Sequence, residues 1–180
     1  MNDFDFLHGS WQVANRRLTT PLADPAGGSW EEFPGHAEVR PLFGGAGNID
    51  EITFPTLGRQ GVTLRLFDRE TRQWAIHWSD SRTGRLDPPV VGGFTGDRGD
   101  FHGEDRYGGR PIAVHFTWHR LGPDHARWEQ EFSADGGRTW ELNWVMDLTR
   151  TAGPTDTAGP TATAGTSETA EAAVEAGEAA

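Results

Sequence analysis

The chain contains no cysteine. That absence excludes disulfides, thiolate nucleophiles and cysteine-ligated zinc or iron–sulfur centres. Lysine is missing too: all sixteen basic residues are arginine, as codon bias in a GC-rich genome favours, and Schiff-base chemistry through a lysine is excluded. No stretch approaches the roughly eighteen consecutive apolar residues of a membrane-spanning helix. The opening "MNDFDFLHGSW" has neither a basic n-region nor an apolar run of signal-peptide length, so a cytoplasmic protein is expected. Excess positive charge is also lacking. Of the formal charge of −11, the five acidic residues Asp156, Glu168, Glu171, Glu175 and Glu178 carry −5 and the body −6. Nucleic acid and anionic membrane surfaces call for a basic patch, so neither is an expected partner.

What the chain has instead is aromatic rings. Eight Trp and ten Phe stand in 180 residues whose hydrophobic content is only 35%. Such rings suit strands and pockets better than helical bundles.

The composition changes after Arg150. Residues 151–180, "TAGPTDTAGPTATAGTSETAEAAVEAGEAA", repeat "TAGPT" and hold no aromatic residue and a single valine. They offer too little apolar surface to offset ordering entropy and are expected to form a disordered acidic tail without a site. Residues 1–150 are expected to form one domain.

Within that body the sequence reads as strand after strand: 9–18, 31–40, 47–54, 62–68, 73–80, 89–96, 99–107, 111–120, 126–134 and 139–150. Turns such as "DRETR", "GDRG", "YGGRP", "LGPDH" and "ADGGRT" separate the later ones. Connections this short join antiparallel neighbours, because parallel crossovers need about a dozen residues or more. The expected fold is all-β, a single antiparallel up-and-down barrel of about 8–10 strands, with a short helical turn at "DFDFLHG".

Alternation orients the strands. In "RQWAIHWSD" Trp74, Ile76, Trp78 and Asp80 share one face, and His77 lies opposite. Val114, Phe116 and Trp118 oppose His115, Thr117 and His119. Trp128, Gln130 and Phe132 oppose Arg127, Glu129 and Glu131. Trp140, Leu142, Trp144, Met146 and Leu148 form another apolar row, and Val62, Leu64 and Leu66 oppose Thr63 and Arg65. Burying a large aromatic gains roughly 2–3 kcal/mol, whereas burying an unpaired charge costs several, so the apolar faces are expected to look inward.

Polar residues that share the inward parity are then the candidates for function. Asn15 and Arg17 follow Trp11 and Val13; Asp80 follows Trp78; Gln130 lies between Trp128 and Phe132. In "GNIDEITF" either Asp50 or Glu51 faces inward, but not both. A cavity lined by Trp11, Trp74, Trp78, Trp118, Trp128, Trp144 and Gln130, with a few convergent polar groups, suits a small partly apolar metabolite. Asp50, Glu51 or Asp80 is the candidate acid–base group, with Asn15 and Arg17 orienting the ligand. The same residues also suit a purely structural network closing one barrel end, in which a buried arginine needs a carboxylate such as Asp50, Glu51 or Asp80. His115 and His119 share a strand face, but the sequence ties no third ligand to them, and no metal site is expected. "GGAGNID" lacks the following helix of a phosphate cradle.

The opening "FDFLHGSWQVANRRL" resembles the start of calycin-type barrels, in which a helical turn leads into a strand bearing Gly-x-Trp, here Gly9 and Trp11. With "GGAGNIDE", "TLRLFDRETRQWAIHWSDSR", "LDPPVVGGF" and "FSADGGRTWELNWVMDLTR", residues 3–150 are similar to a family of uncharacterised bacterial calycin-like proteins, a domain of unknown function. That resemblance implies a lipocalin-like or nitrobindin-like barrel for a small hydrophobic ligand. Some such barrels act as cofactor-independent cyclases, isomerases or lyases of secondary metabolism; nitrobindin-like ones hold haem through a histidine. No family residue pattern transfers to this chain position by position. "SADGGRTW" also resembles an Asp-box propeller turn, but it occurs once and reads as a hairpin turn set by Asp135 and two glycines.

Two alternatives to metabolite binding stay open at this level. One is a haem module using His36, His77, His115 or His119. The other is a non-catalytic protein that homodimerises through outward aromatic residues such as Phe33 and Phe94.

Overall fold

A computed structural model of the chain describes residues 3–23 and 28–151. The expected acidic tail, Thr151 apart, lies outside the described residues. Ten strands follow a short 3₁₀ turn at Asp5–Leu7: β1 (Gly9–Leu18), β2 (Trp30–Leu42), β3 (Gly47–Phe54), β4 (Arg59–Asp68), β5 (Gln73–Asp80), β6 (Val90–Thr95), β7 (Arg98–Tyr107), β8 (Arg110–Arg120), β9 (His125–Ser133) and β10 (Glu141–Arg150). Each pairs antiparallel with its sequence neighbour, and β1 also pairs with β10, so the sheet closes into an up-and-down barrel. The β7–β8 hairpin turns on Gly108 and Gly109 at φ 56° and 80°, the left-handed pair of residues that a two-residue turn requires. An eight-stranded barrel is just wide enough to be filled by its side chains. Ten strands leave room inside.

One end of that interior is closed. The segment before β1 brings Phe4 and Leu7 under the barrel, both buried. Phe4 meets Trp74 and Phe94 edge-on at 5.0 Å and lies within 5.7 Å of Phe101 and 6.1 Å of Trp118. Trp11 donates from Nε1 to the Leu7 carbonyl at 2.7 Å, and the Arg150 guanidinium covers its ring at 4.2 Å. Burying each such ring stabilises the fold by roughly 1.5–3 kcal/mol. This end is a plug.

The inward faces of β1, β5, β8 and β9 follow the alternation. Strand β4 does not. Thr63 and Arg65 are buried, while Val62, Leu64 and Leu66 stand half-buried outside. Register forces this: Thr63 pairs with Trp78 and Asp50, and Arg65 with Ile76 and Asn48. The partner strands fix their own inward faces with Ile52, Phe54, Trp74 and Ile76. The outward leucines instead join a cross-strand ladder in which Leu64 lies between Ile49 and His77.

A second departure lies in β10. The register shifts between Leu142 and Trp144, so Leu142 opposes Glu131 on the outside while Trp144 opposes Gln130 on the inside. The extra residue of this bulge, Asn143, is buried and accepts from Gln130 Nε2 at 2.7 Å. Trp140 therefore lies outside the barrel. Phe33 and Phe94, expected to face outward, turn inward: Phe33 packs on Phe54 at 5.5 Å and Phe94 on Phe101 at 5.8 Å. Both sit on the parity of the core residues around them, Phe33 with Ala37 and Val39, and Phe94 with Val90.

Candidate functional site

Above the plug lies a cavity of about 370 Å³, towards the small end of the roughly 300–1,000 Å³ typical of ligand sites. Ile52, Ile76, Val114 and Met146 line its middle, and Trp78, Trp128, Trp144, Phe116, Phe132 and Gln130 contribute aromatic and amide surface. Trp78 can lie across the barrel wall because β4 has Gly61 opposite β5: a Cβ there would come within 1.8 Å of the indole.

The inner end is polar. Arg65, 3% exposed, and Asp50, 6% exposed, both line the cavity. Arg65 Nη1 donates to Asp50 Oδ2 at 2.5 Å and to Asn48 Oδ1 at 2.9 Å. Its guanidinium lies 5.3 Å from the Phe4 ring centre and 5.4 Å from that of Trp118, against the floor of the cavity. An arginine can enter this apolar setting only because a carboxylate accompanies it. The pairing is incomplete. Among the described residues, Arg65 Nε and Trp118 Nε1 are buried without an acceptor, and neither Arg65 Nη2 nor Asp50 Oδ1 takes part in a hydrogen bond.

The other candidates separate into groups. Trp118, Trp128, Trp144, Trp78 and Gln130 line the cavity with Asp50. Trp11 and Trp74 belong to the plug, where Trp74 Nε1 donates to Asp3 Oδ2 at 3.0 Å. Asn15 is buried behind Trp144 and accepts from its Nε1 at 3.1 Å. Arg17 stands at the far rim over Phe33 and Trp144, paired with Glu31 at 2.5 Å rather than with any of the three expected carboxylates.

Glu51 faces outward, where Gln60 Nε2 donates to it at 3.2 Å; the parity of β3 favours Asp50. Asp80 reaches only the rim. Burial alone would raise its carboxyl, but the Arg82 backbone and side-chain hydrogen bonds, with the charges of Arg82 and Arg59, bring it below the ordinary value.

The mouth carries residues that the sequence reading did not single out: Asp87, Pro88, Glu104, Asp105, Arg106 and Tyr107. Desolvation raises the Asp87 carboxyl above its ordinary value, and the negative charges of Asp105 and Asp80 add to the effect. These residues sit in the β5–β6 connection and at the end of the expected strand 99–107, and sequence spacing does not show that the two meet at one end of the barrel. Arg65 was also missed. Its alternation with two leucines reads as a solvated position, and the expected buried arginine is Arg17, with Asp50, Glu51 or Asp80 open as its partner.

None of the histidines lines the cavity, so its interior offers no imidazole to a haem. His77 and His36 face outward, with His36 exposed. On the outer face of β7–β9, His115 Nδ1 lies 3.0 Å from Glu131 Oε2 and Nε2 3.0 Å from Asp100 Oδ1. His102 stacks on it at 4.3 Å, Trp140 meets both edge-on, and His119 pairs with Glu129 at 3.2 Å. The carboxylates come from neighbouring strands, which is why sequence spacing could not tie them to the histidines. Among the described residues no group of three His, Asp or Glu side chains is arranged to hold a metal ion.

No family model and no curated sequence matches the chain. Among solved structures it is similar to the S-type phycobiliprotein lyase of Guillardia theta, with 12% sequence identity and a TM-score of 0.52 over 84% of this chain and 92% of that one. The similarity is one of fold: a lipocalin-like closed barrel. Among the described residues no helix is long and apolar enough to cross a membrane.

Proposed function

We propose that the barrel binds a small, partly apolar metabolite, its body among Trp78, Trp128, Trp144 and the aliphatic wall and its polar end on Arg65 and Asp50. One observation carries the reading: the ion pair lies at the inner end of an apolar cavity with hydrogen-bonding capacity left over. A pair serving the fold alone gains nothing from bordering empty space, because its desolvation is repaid best when every donor and acceptor is matched. The fold neighbour's lyase activity is compatible with this use of a barrel.

Asp50 also favours a second reading, in which the site performs proton transfer. Its Oδ1 is free to take a proton from a carbon or oxygen of the ligand, while the Arg65 guanidinium holds the oxygen on which negative charge develops. Return of the same proton from Asp50 to another atom of the ligand completes an isomerisation without a cofactor.

Native mass spectrometry of the full chain as purified, with gentle release of bound molecules, tests the binding reading. The expected result is an organic ligand that a cavity-filled variant, Val114→Trp, does not retain. Release of the same molecule, or of none, from both proteins, together with identical thermal shifts against a metabolite library, would overturn it. A haem mass would also contradict it.

A further inference from the structure

The lining of the cavity narrows the ligand's chemistry, on the reading that the cavity is a ligand site. We propose that the ligand is uncharged, with a compact apolar body and a carbonyl or hydroxyl oxygen at its inner end, and that carboxylates and phosphates are rejected.

The inner end supplies the first argument. Arg65 Nη1 is taken by Asn48 and Asp50, which leaves the Nη2 donors of Arg65 and Oδ1 of Asp50 without a hydrogen bond among the described residues. A free donor and a free acceptor on one ion pair match a hydroxyl, which can use either, or a carbonyl, which accepts from Nη2. They do not match an anion. The charges of Arg65 and Asp50 already cancel, so a ligand carboxylate would lie beside Asp50 in a water-poor setting where like charges repel strongly.

The mouth supplies the second, independent argument. Asp87, Glu104 and Asp105 stand there with Arg106 as the single cationic group among the cavity-lining residues of that end, for a formal charge of −2. An anionic ligand meets this field on entry, whereas a neutral one does not.

Equilibrium dialysis of the full chain against three molecules of one shape tests the inference: 2-acetylnaphthalene, 2-naphthoate and 2-ethylnaphthalene. The ketone is expected to bind at least about tenfold more tightly than the hydrocarbon, the yield of a hydrogen bond to a charged donor. It should also exceed the carboxylate by at least about tenfold, and Asp87→Asn/Asp105→Asn should narrow that second gap. Naphthoate binding as well as the ketone would overturn the inference and make Arg65 an anion receptor. Equal binding of ketone and hydrocarbon would overturn it by showing that the polar end is unused. Failure of all three to bind, with Val114→Trp behaving as the unaltered chain, would overturn the ligand-site reading and this inference together.

Discussion

Arg65 Nη1 and Asp50 Oδ2 meet at 2.5 Å inside the barrel, on adjacent strands, with 4% and 7% of their side chains exposed. Each is tolerable there only because of the other. Asp50→Ala leaves a buried guanidinium uncompensated and is expected to cost about 3–5 kcal/mol, whereas the double replacement Asp50→Leu/Arg65→Met is expected to be neutral or stabilising. Urea unfolding of the two variants checks the contrast. A double variant as unstable as the single one would mean that the pair is needed for more than mutual neutralisation.

Trp78 and Gly61 share one patch of wall. Gly61→Ala puts a methyl group where the indole ring lies, so the ring must leave. The expected cost is about 1–3 kcal/mol, as for other overpacked cores, with a change in tryptophan emission and weaker ligand uptake. Unchanged emission would mean that the ring is held elsewhere in solution.

Asp135 organises the β9–β10 turn. Its carboxylate accepts from the backbone N–H groups of Thr139 and Arg138, both at 3.0 Å, and from the hydroxyls of Thr139 and Ser133, both at 2.7 Å. Hydrogen bonds from Thr139 hold the carboxyl far below its ordinary value, helped by Ser133 and Arg138. A depressed carboxyl contributes stability above its unfolded value near pH ~3.9 and loses it as pH falls towards the folded value. Asp135→Ala is therefore expected to lower stability at neutral pH and flatten the acid limb of the profile. An unaltered acid limb would remove Asp135 from the account.

His102 acts in the same sense, in a higher pH window. Burial first, and then the charge of His115, lower its proton affinity, with Asp100 opposing them. The unfolded chain takes up that proton near pH ~6.5 and the folded chain only at lower pH, so stability falls as pH drops through this window. His102→Asn should shallow the decline between about pH 6.5 and 5. A decline as steep as that of the unaltered chain would assign it to other groups.

Much of the barrel can be read from alternation, because four tryptophan-bearing strands each have one apolar face. Strands β1, β3 and β5 fall on the expected residues, 9–18, 47–54 and 73–80. The parts that cannot be read are those decided by neighbours. In β4 the apolar row Val62, Leu64 and Leu66 looks like a core face, yet its pairing with β3 and β5 turns Thr63 and Arg65 inward. A one-residue bulge at Asn143 sends Trp140 outside, and no periodicity announces a bulge. The candidate site suffers from the same cause: the sequence offers Asp50 only alongside Glu51 and Asp80, and its partner and the carboxylates of the mouth depend on register and turn placement that spacing does not encode.

The central claim is that Arg65 and Asp50 form the polar end of a ligand site rather than a strut of the fold. Equilibrium dialysis of Asp50→Leu/Arg65→Met, once circular dichroism has shown it folded, tests this most directly. The account predicts that 2-acetylnaphthalene loses its preference and binds no better than 2-ethylnaphthalene. A double variant that still favours the ketone as strongly as the unaltered chain would contradict it.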